Sequence, residues 1–216
     1  MKVFVVHYSK LTERKQHMLN QFQQQGIKDY EFVEKFNKED ITPEEYSRFT
    51  EYIKPSMISV SLKTLWIYNQ IAQKYRSALI FEDDVILSKG FNEKLDTYLK
   101  ELPNDWDMVF LGDGCGLHIP KRQLVPFKRL YKKGHIETDW CGAGCTRCVD
   151  SYIVSNKCAK KLVDYFNNLG DNKIHTNIDN YLNIVAKNLD LNVYWAEPTI
   201  VTQGSESGLF KSSHDK

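Results

Sequence analysis

Short apolar runs rich in β-branched and aromatic residues recur along the chain. Val3-Phe4-Val5-Val6, Tyr30-Glu31-Phe32-Val33, Ala78-Leu79-Ile80-Phe81, Met108-Val109-Phe110-Leu111, Tyr152-Ile153-Val154 and residues 191–195 each have the length and composition of a strand. Between them lie segments with helical character. Residues 12–25 stop at Gly26, which suits a left-handed helix end. Residues 59–75 carry Leu62, Leu65, Trp66 and Ile71 on a helical period. Thr42-Pro43-Glu44-Glu45 combines an N-cap, a proline at the first helical position and acids in the first turn. Further helices are predicted over 91–102, closed by Pro103, over 157–168 behind a Ser155 cap, and over 178–188.

Alternating strands and helices predict an α/β protein with a mostly parallel, twisted sheet. The length suits one domain over residues 1–216. Residues 112–150 show no sustained period and predict an irregular loop region. Little regular structure is expected after Pro198, and a flexible tail over about 203–216.

Composition narrows the function classes. Lys and Arg number 29 against 28 Asp and Glu, so the formal charge is +1 and no global field draws the chain to nucleic acid or anionic membrane. Any anionic ligand must be held by local groups. No apolar stretch approaches the ~20 residues needed to span a bilayer, and the apolar run at the N-terminus is too short for a signal peptide. Five cysteines, an odd number, fit a reducing, cytoplasmic setting. Cys141, Cys145 and Cys148 are crowded, with Cys115 upstream, but no partner pair has zinc-finger spacing; free thiols are the expectation. The dinucleotide fingerprint, the Walker A loop and the Gly-x-Ser-x-Gly elbow are all missing.

The chemistry concentrates at Glu82-Asp83-Asp84, directly after the apolar run 78–81. Three adjacent carboxylates are costly to hold together without positive charge among them. They fall at the C-terminal end of a predicted strand, where open α/β sheets bind ligands. A divalent cation bridging to a phosphate would resolve the repulsion; an acidic surface turn is the plain alternative. In extended chain, alternation points Glu82 and Asp84 the same way and Asp83 the other.

Several segments resemble the family-25 glycosyltransferases of lipopolysaccharide biosynthesis. The opening Val3-Phe4-Val5-Val6-His7-Tyr8-Ser9 with Glu13-Arg14 and Met18 is similar to their first strand and Arg-bearing helix. Ser59-Val60-Ser61-Leu62-Lys63 with Trp66, then Glu82-Asp83-Asp84, resembles their Ser-His helix and acidic strand end, although Lys63 stands where the family has His. Ser151-Tyr152-Ile153-Val154-Ser155 with Ala159, the isolated Asp179, and Pro198 with Gln203 complete the series in the same order. The compact size is also similar to glycosyltransferase domains of large algal viruses.

The resemblance implies a GT-A fold, an α/β/α nucleotide-sugar domain, using Mn²⁺ or Mg²⁺ to move a sugar from a nucleotide diphosphate to a carbohydrate acceptor. UDP-hexose or UDP-deoxyhexose is the implied donor. On that reading Asp84, Glu82 and His214 hold the metal. His7, Tyr8, Ser9, Arg14, Lys63, Glu82, Asp83 and Lys211 contact the donor, Lys63 as a phosphate-binding point charge. Asp179 and Asp150 are the candidate bases for an acceptor hydroxyl, and Trp140 an acceptor platform. The alternatives are a metal-dependent phosphohydrolase or nucleotidyltransferase, and a non-catalytic nucleotide-sugar-binding module.

Overall fold

The computed structural model describes residues 1–114, 116–140 and 144–211. The expected α/β alternation is present. Strand β1 (Lys2–Val6) leads through helix α1 (Thr12–Gln25) to β2 (Tyr30–Val33); short α2 (Pro43–Ser47) and long α3 (Pro55–Lys74) precede β3 (Ser77–Glu82). Then follow β4 (Val85–Leu87), α4 (Phe91–Leu99), β5 (Met108–Phe110) and β6 (Leu130–Lys133). The chain continues through β7 (Ser151–Ser155), α5 (Asn156–Asn167), α6 (Ile178–Asn188), β8 (Val193–Ala196) and β9 (Val201–Gln203).

Seven strands form one sheet in the order β2-β1-β3-β7-β5-β8-β6. β1 pairs in parallel with β2 and β3, and β5 with β8. β7 runs antiparallel to both its neighbours, and β6 antiparallel to β8, so most strands share one direction. The C-terminal ends of β1, β3, β5 and β8 therefore open at one rim.

Alternation along the strands sorts the core into two layers. Phe4, Ile80, Phe110, Tyr152 and Val154 face α3, α5 and α6, meeting Ile67, Ile71, Leu162, Phe166 and Leu182. Val3, Val5, Leu79, Phe81 and Ile153 face the other way, onto Met18 and Phe22 of α1 and Phe91 and Leu95 of α4. The result is the α/β/α arrangement. Among the described residues, no helix is long and apolar enough to cross a membrane.

Helix ends follow the local chemistry. Gly26 closes α1 with φ 67°, and Thr42 with Glu45 forms a reciprocal capping box at α2. Ser155 caps α5 by accepting from the Cys158 N–H. Helix α3 begins at Pro55, earlier than expected, because proline suits the first helical turn.

Two expectations need correction. The irregular region contains a strand, β6, whose Leu130-Tyr131-Lys132-Lys133 pattern is masked by flanking cations. The segment after Pro198 is not a loose tail up to Lys211. Val201–Gln203 pairs antiparallel with β4, and Gly204 then donates to the Asp84 carbonyl at 2.8 Å. Long-range pairing, rather than local propensity, orders it.

Gly112, just past β5, shows how tightly the rim is packed. A Cβ there would lie 1.9 Å from Asp150 Oδ2 and 2.6 Å from Ser151 Oγ. Gly112→Ala should destabilise the protein by about 1–3 kcal/mol through overpacking, measured by urea unfolding. Asp150→Ala in the same chain should recover part of that loss in a double-mutant cycle; fully additive effects would contradict the packing account.

Candidate active site

A cleft of about 350 Å³ opens at the C-terminal ends of β1 and β3. The chain turns at Asp83-Asp84 between β3 and β4, so the period of two ends at Glu82. Asp83 consequently does not point away from the cleft as strict alternation predicts. All three acids line it.

Asp83 is committed to the protein itself. Its Oδ1 accepts from Arg14 Nη1 at 2.8 Å and its Oδ2 lies 2.7 Å from His7 Nδ1, with all three side chains nearly buried. Arg14 projects from the first turn of α1, one side of which carries Met18, Gln21 and Phe22 inward. Further along that helix, Gln21 donates to the Val85 carbonyl and accepts from the Leu87 N–H, each at 2.7 Å, clamping β4. Helix α1 thus holds the acidic turn at two points.

Asp84 differs. Arg14 Nη1 approaches its Oδ2 at 3.5 Å, yet its buried Oδ1 has no hydrogen-bond partner among the described residues. Burial pushes its carboxyl pKa up, against the lowering pull of Arg14 and a Ser205 hydrogen bond. Glu82 accepts from Gln203 Nε2 at 3.1 Å. Its pKa is driven well above the usual carboxylate range, first by loss of water and then by Asp84, Asp150, Asp83 and Asp179. Negative charge is in excess here, and hard oxygen donors with one unpartnered oxygen fit a divalent cation. Among the described residues, no three His, Cys, Asp or Glu side chains converge as a ready-made ligand set.

Cations share the cleft with these acids. Lys10, Arg14, Lys38, Lys63 and Lys211 all line the cleft. Lys63 is buried, donating to the His7 carbonyl at 2.7 Å and Asn37 Oδ1 at 3.2 Å; burial pulls its pKa down to about 8. It braces the loops after β1 and β2. Tyr8 donates to Glu39 at 2.5 Å, and the ammonium groups of Lys10 and Lys38 stand 5.8 and 5.4 Å from its ring centre.

The C-terminal segment closes the cleft's edge. Arg14 Nη2 donates to the Lys211 carbonyl at 2.7 Å, and the Phe210 ring centre lies 5.3 Å from the Arg14 guanidinium carbon. Gly204 allows this approach, since a Cβ there would meet the Asp84 carbonyl at 2.5 Å and the Phe210 ring at 2.9 Å.

Of the residues singled out from sequence, His7, Tyr8, Arg14, Lys63, Glu82, Asp83, Asp84 and Lys211 come together around this cleft. Ser9 does not line it; its Oγ accepts from Asn37. Asp150 and Asp179 also stand outside the lining, although the charge of each reaches Glu82. Asp150 is buried with its Oδ1 unpartnered, and burial lifts its pKa to about 7. Asp179 is half-buried in the first turn of α6. His214, Cys115 and Cys141 lie outside the described residues. Cys145 and Cys158 are buried free thiols. Trp140, itself half-buried, packs against the buried Tyr131 and Trp195. Sequence reasoning missed Lys38, Ser56 and Ser205. Lys38 follows a parallel strand, so the strand-end rule could have flagged it; nothing local marks Ser205.

Fold and cleft define an α/β protein whose strand ends open into a cleft lined by both cations and carboxylates. The model for glycosyltransferase family 25 (LPS biosynthesis protein) matches residues 1–182, and the chain belongs to that family. It is 24% identical over 174 residues to a protein of Acanthamoeba polyphaga mimivirus named as a glycosyltransferase. That alignment covers 76% of this chain and 52% of the relative, so the chain spans about half the relative's length. The structure of mouse xyloside xylosyltransferase 1, apo form, aligns with 88% of this chain and 69% of its own, at 10% identity and TM-score 0.45.

Two outcomes follow from the electrostatics. Asp83→Ala strands a buried Arg14 and should cost about 3–5 kcal/mol, seen as a lowered urea midpoint; an unchanged midpoint would contradict the bridging role. For Asp150, the unfolded carboxyl titrates near the ordinary aspartate value of 3.8 and the folded one at about 7. The folded state therefore binds more protons in that window, its stability falls as pH rises through it, and the penalty is full above 7. Asp150→Asn should gain on the parent by a few kcal/mol at most between about pH 4 and 8, read from urea curves at both ends; a constant difference would refute it.

Proposed function

We propose that the protein transfers a sugar from a nucleotide-diphosphate donor, a UDP-hexose or UDP-deoxyhexose, to a carbohydrate acceptor, with Mn²⁺ or Mg²⁺. The observation that carries this reading is the juxtaposition in one cleft of several cations with Asp84, whose buried Oδ1 has no hydrogen-bond partner among the described residues. Family membership supports sugar transfer as the chemistry.

On this reading Asp84 and Glu82 would hold the cation, and His214, outside the described residues, is the further candidate ligand. When bound, the metal would supply charge neutralisation for the departing diphosphate. The chain's own residues orient the donor. Arg14, fixed by Asp83, and the ammonium groups of Lys10, Lys38 and Lys211 attract the diphosphate. Tyr8 offers a flat face to the nucleoside, and Ser59 and Ser56 offer hydroxyls. Positive charge beside Glu82 would oppose the upward pKa shift that burial and the neighbouring carboxylates impose on it.

Asp179 and Asp150 are the candidate proton acceptors for the incoming hydroxyl. Asp150 has a pKa suited to a base near neutrality. Asp179 is the more accessible of the two. A cytoplasmic setting agrees with the free thiols at Cys145 and Cys158.

UDP and UDP-sugars should raise the melting temperature more with Mn²⁺ than without it. Asp84→Ala and Glu82→Ala should each lower donor turnover by roughly a hundredfold or more while leaving the fold cooperative. Full turnover in both variants, or no stabilisation by any nucleotide with any metal, would sink the proposal.

A further inference from the structure

The loop entering β6 does something that folding alone does not ask for. Val125-Pro126-Phe127-Lys128 closes a turn in which the Lys128 N–H donates to the Val125 carbonyl at 3.1 Å. Proline at the second position and positive φ at the third define a type II turn, whose third position favours glycine or asparagine. Here it holds Phe127, at φ 66°, with 91% of its surface exposed. A bulky residue in that conformation is an outlier, and the ring is given no cover in return.

The exposure does not come from a slack loop. Tyr131, anchored in β6, accepts from the Val125 N–H at 2.8 Å. Arg129 donates to Glu101 and to the Phe127 carbonyl. The turn is therefore held from both sides with Phe127 at its tip. Leu124 and Val125 beside it are 41% and 53% exposed, making a contiguous apolar tip.

Charge around this tip is net positive, because two of its four cations are paired with acids and two are not. Lys121 and Lys128 are exposed and have no carboxylate partner among the described residues, and Arg122 and Arg129 flank them, paired with Asp139 and Glu101. An apolar wedge in a basic collar complements an anionic lipid surface: the ring enters the acyl boundary while the ammonium groups meet headgroup phosphates. A carbohydrate would use the aromatic face but would not need Leu124 and Val125. The chain's formal charge of +1 conceals this local excess.

Position adds an argument. Leu130 pairs with Ala196 at the C-terminal end of β8, so the loop lies on the same rim of the sheet as the cleft. Four strand spacings separate β6 from β3, roughly 20 Å. We propose that the 121–129 loop is a peripheral membrane-docking element, with Phe127 as its wedge, that sets the cleft rim against an anionic bilayer. The inference stands on the loop and does not rest on the transferase reading.

The test uses vesicle flotation of the full chain. It should float with phosphatidylcholine containing about 30 mol% phosphatidylglycerol, and not with phosphatidylcholine alone. Phe127→Ser should weaken partitioning roughly tenfold or more, and Lys121→Glu with Lys128→Glu should abolish it. Phe127→Gly relieves the backbone and should melt no lower than the parent while losing vesicle binding. In Phe127→Trp, brominated acyl chains should quench emission that they leave untouched in the parent. The proposal falls if the parent ignores anionic vesicles or if Phe127→Ser floats as well as the parent. It also falls if Phe127→Gly melts lower, which would make the ring a packing residue. A concentration-dependent dimer, abolished by Phe127→Ser without lipid, would assign the tip to a second copy instead.

Discussion

Three carboxylates at the end of a buried strand repel one another, and the way that repulsion is divided organises the rim of the sheet. Asp83 takes Arg14 and His7, which fixes α1 against the acidic turn. Its neighbours are left short of positive charge, and burial drives the pKa values of Glu82 and Asp84 upward. A buried ion pair of this kind is expensive to assemble and more expensive to break. Its value lies in geometry, because it holds the guanidinium within 3.5 Å of Asp84 Oδ2 at the edge of the cleft.

The rest of the cleft depends on that division. With Arg14 fixed, the C-terminal segment has a surface to close on: the guanidinium binds the Lys211 carbonyl and faces the Phe210 ring. β9 delivers Gln203 and Ser205 to Glu82 and Asp84 through its pairing with β4. Lys63 ties the loops after β1 and β2 beneath the same space. In this way a single cleft draws on residues from positions 6 to 211.

Much of this was legible in the residues. The apolar runs located β1, β2, β3, β5 and β7, and the capping residues at Thr42 and Ser155 located two helix starts, because those signals are local. The strand-end rule pointed to Glu82-Asp83-Asp84, which line the cleft, and family-like segments named most of the residues around it. What could not be read depends on distant parts of the chain. β9 forms through β4, more than a hundred positions upstream, in a segment whose Gly204, Ser205, Ser207 and Gly208 suggest only a loop. Asp83's direction follows from where extended chain gives way to a turn, which alternation cannot fix. Net charge likewise averaged away the collar of cations around Phe127.

The sandwich of Asp83, Arg14 and Phe210 has an evolutionary consequence. Arg14 is bound to an acid on one side, while an aromatic ring and a backbone carbonyl from the far end of the chain engage it elsewhere, so no one of these groups can drift alone. Replacing the arginine would orphan the acid and loosen the closing segment together. Enlarging Gly204 would displace the ring that faces the guanidinium. Positions 14, 83, 204 and 210 should therefore vary as a set among relatives that keep the closing segment, and should vary independently in relatives that cap the cleft another way.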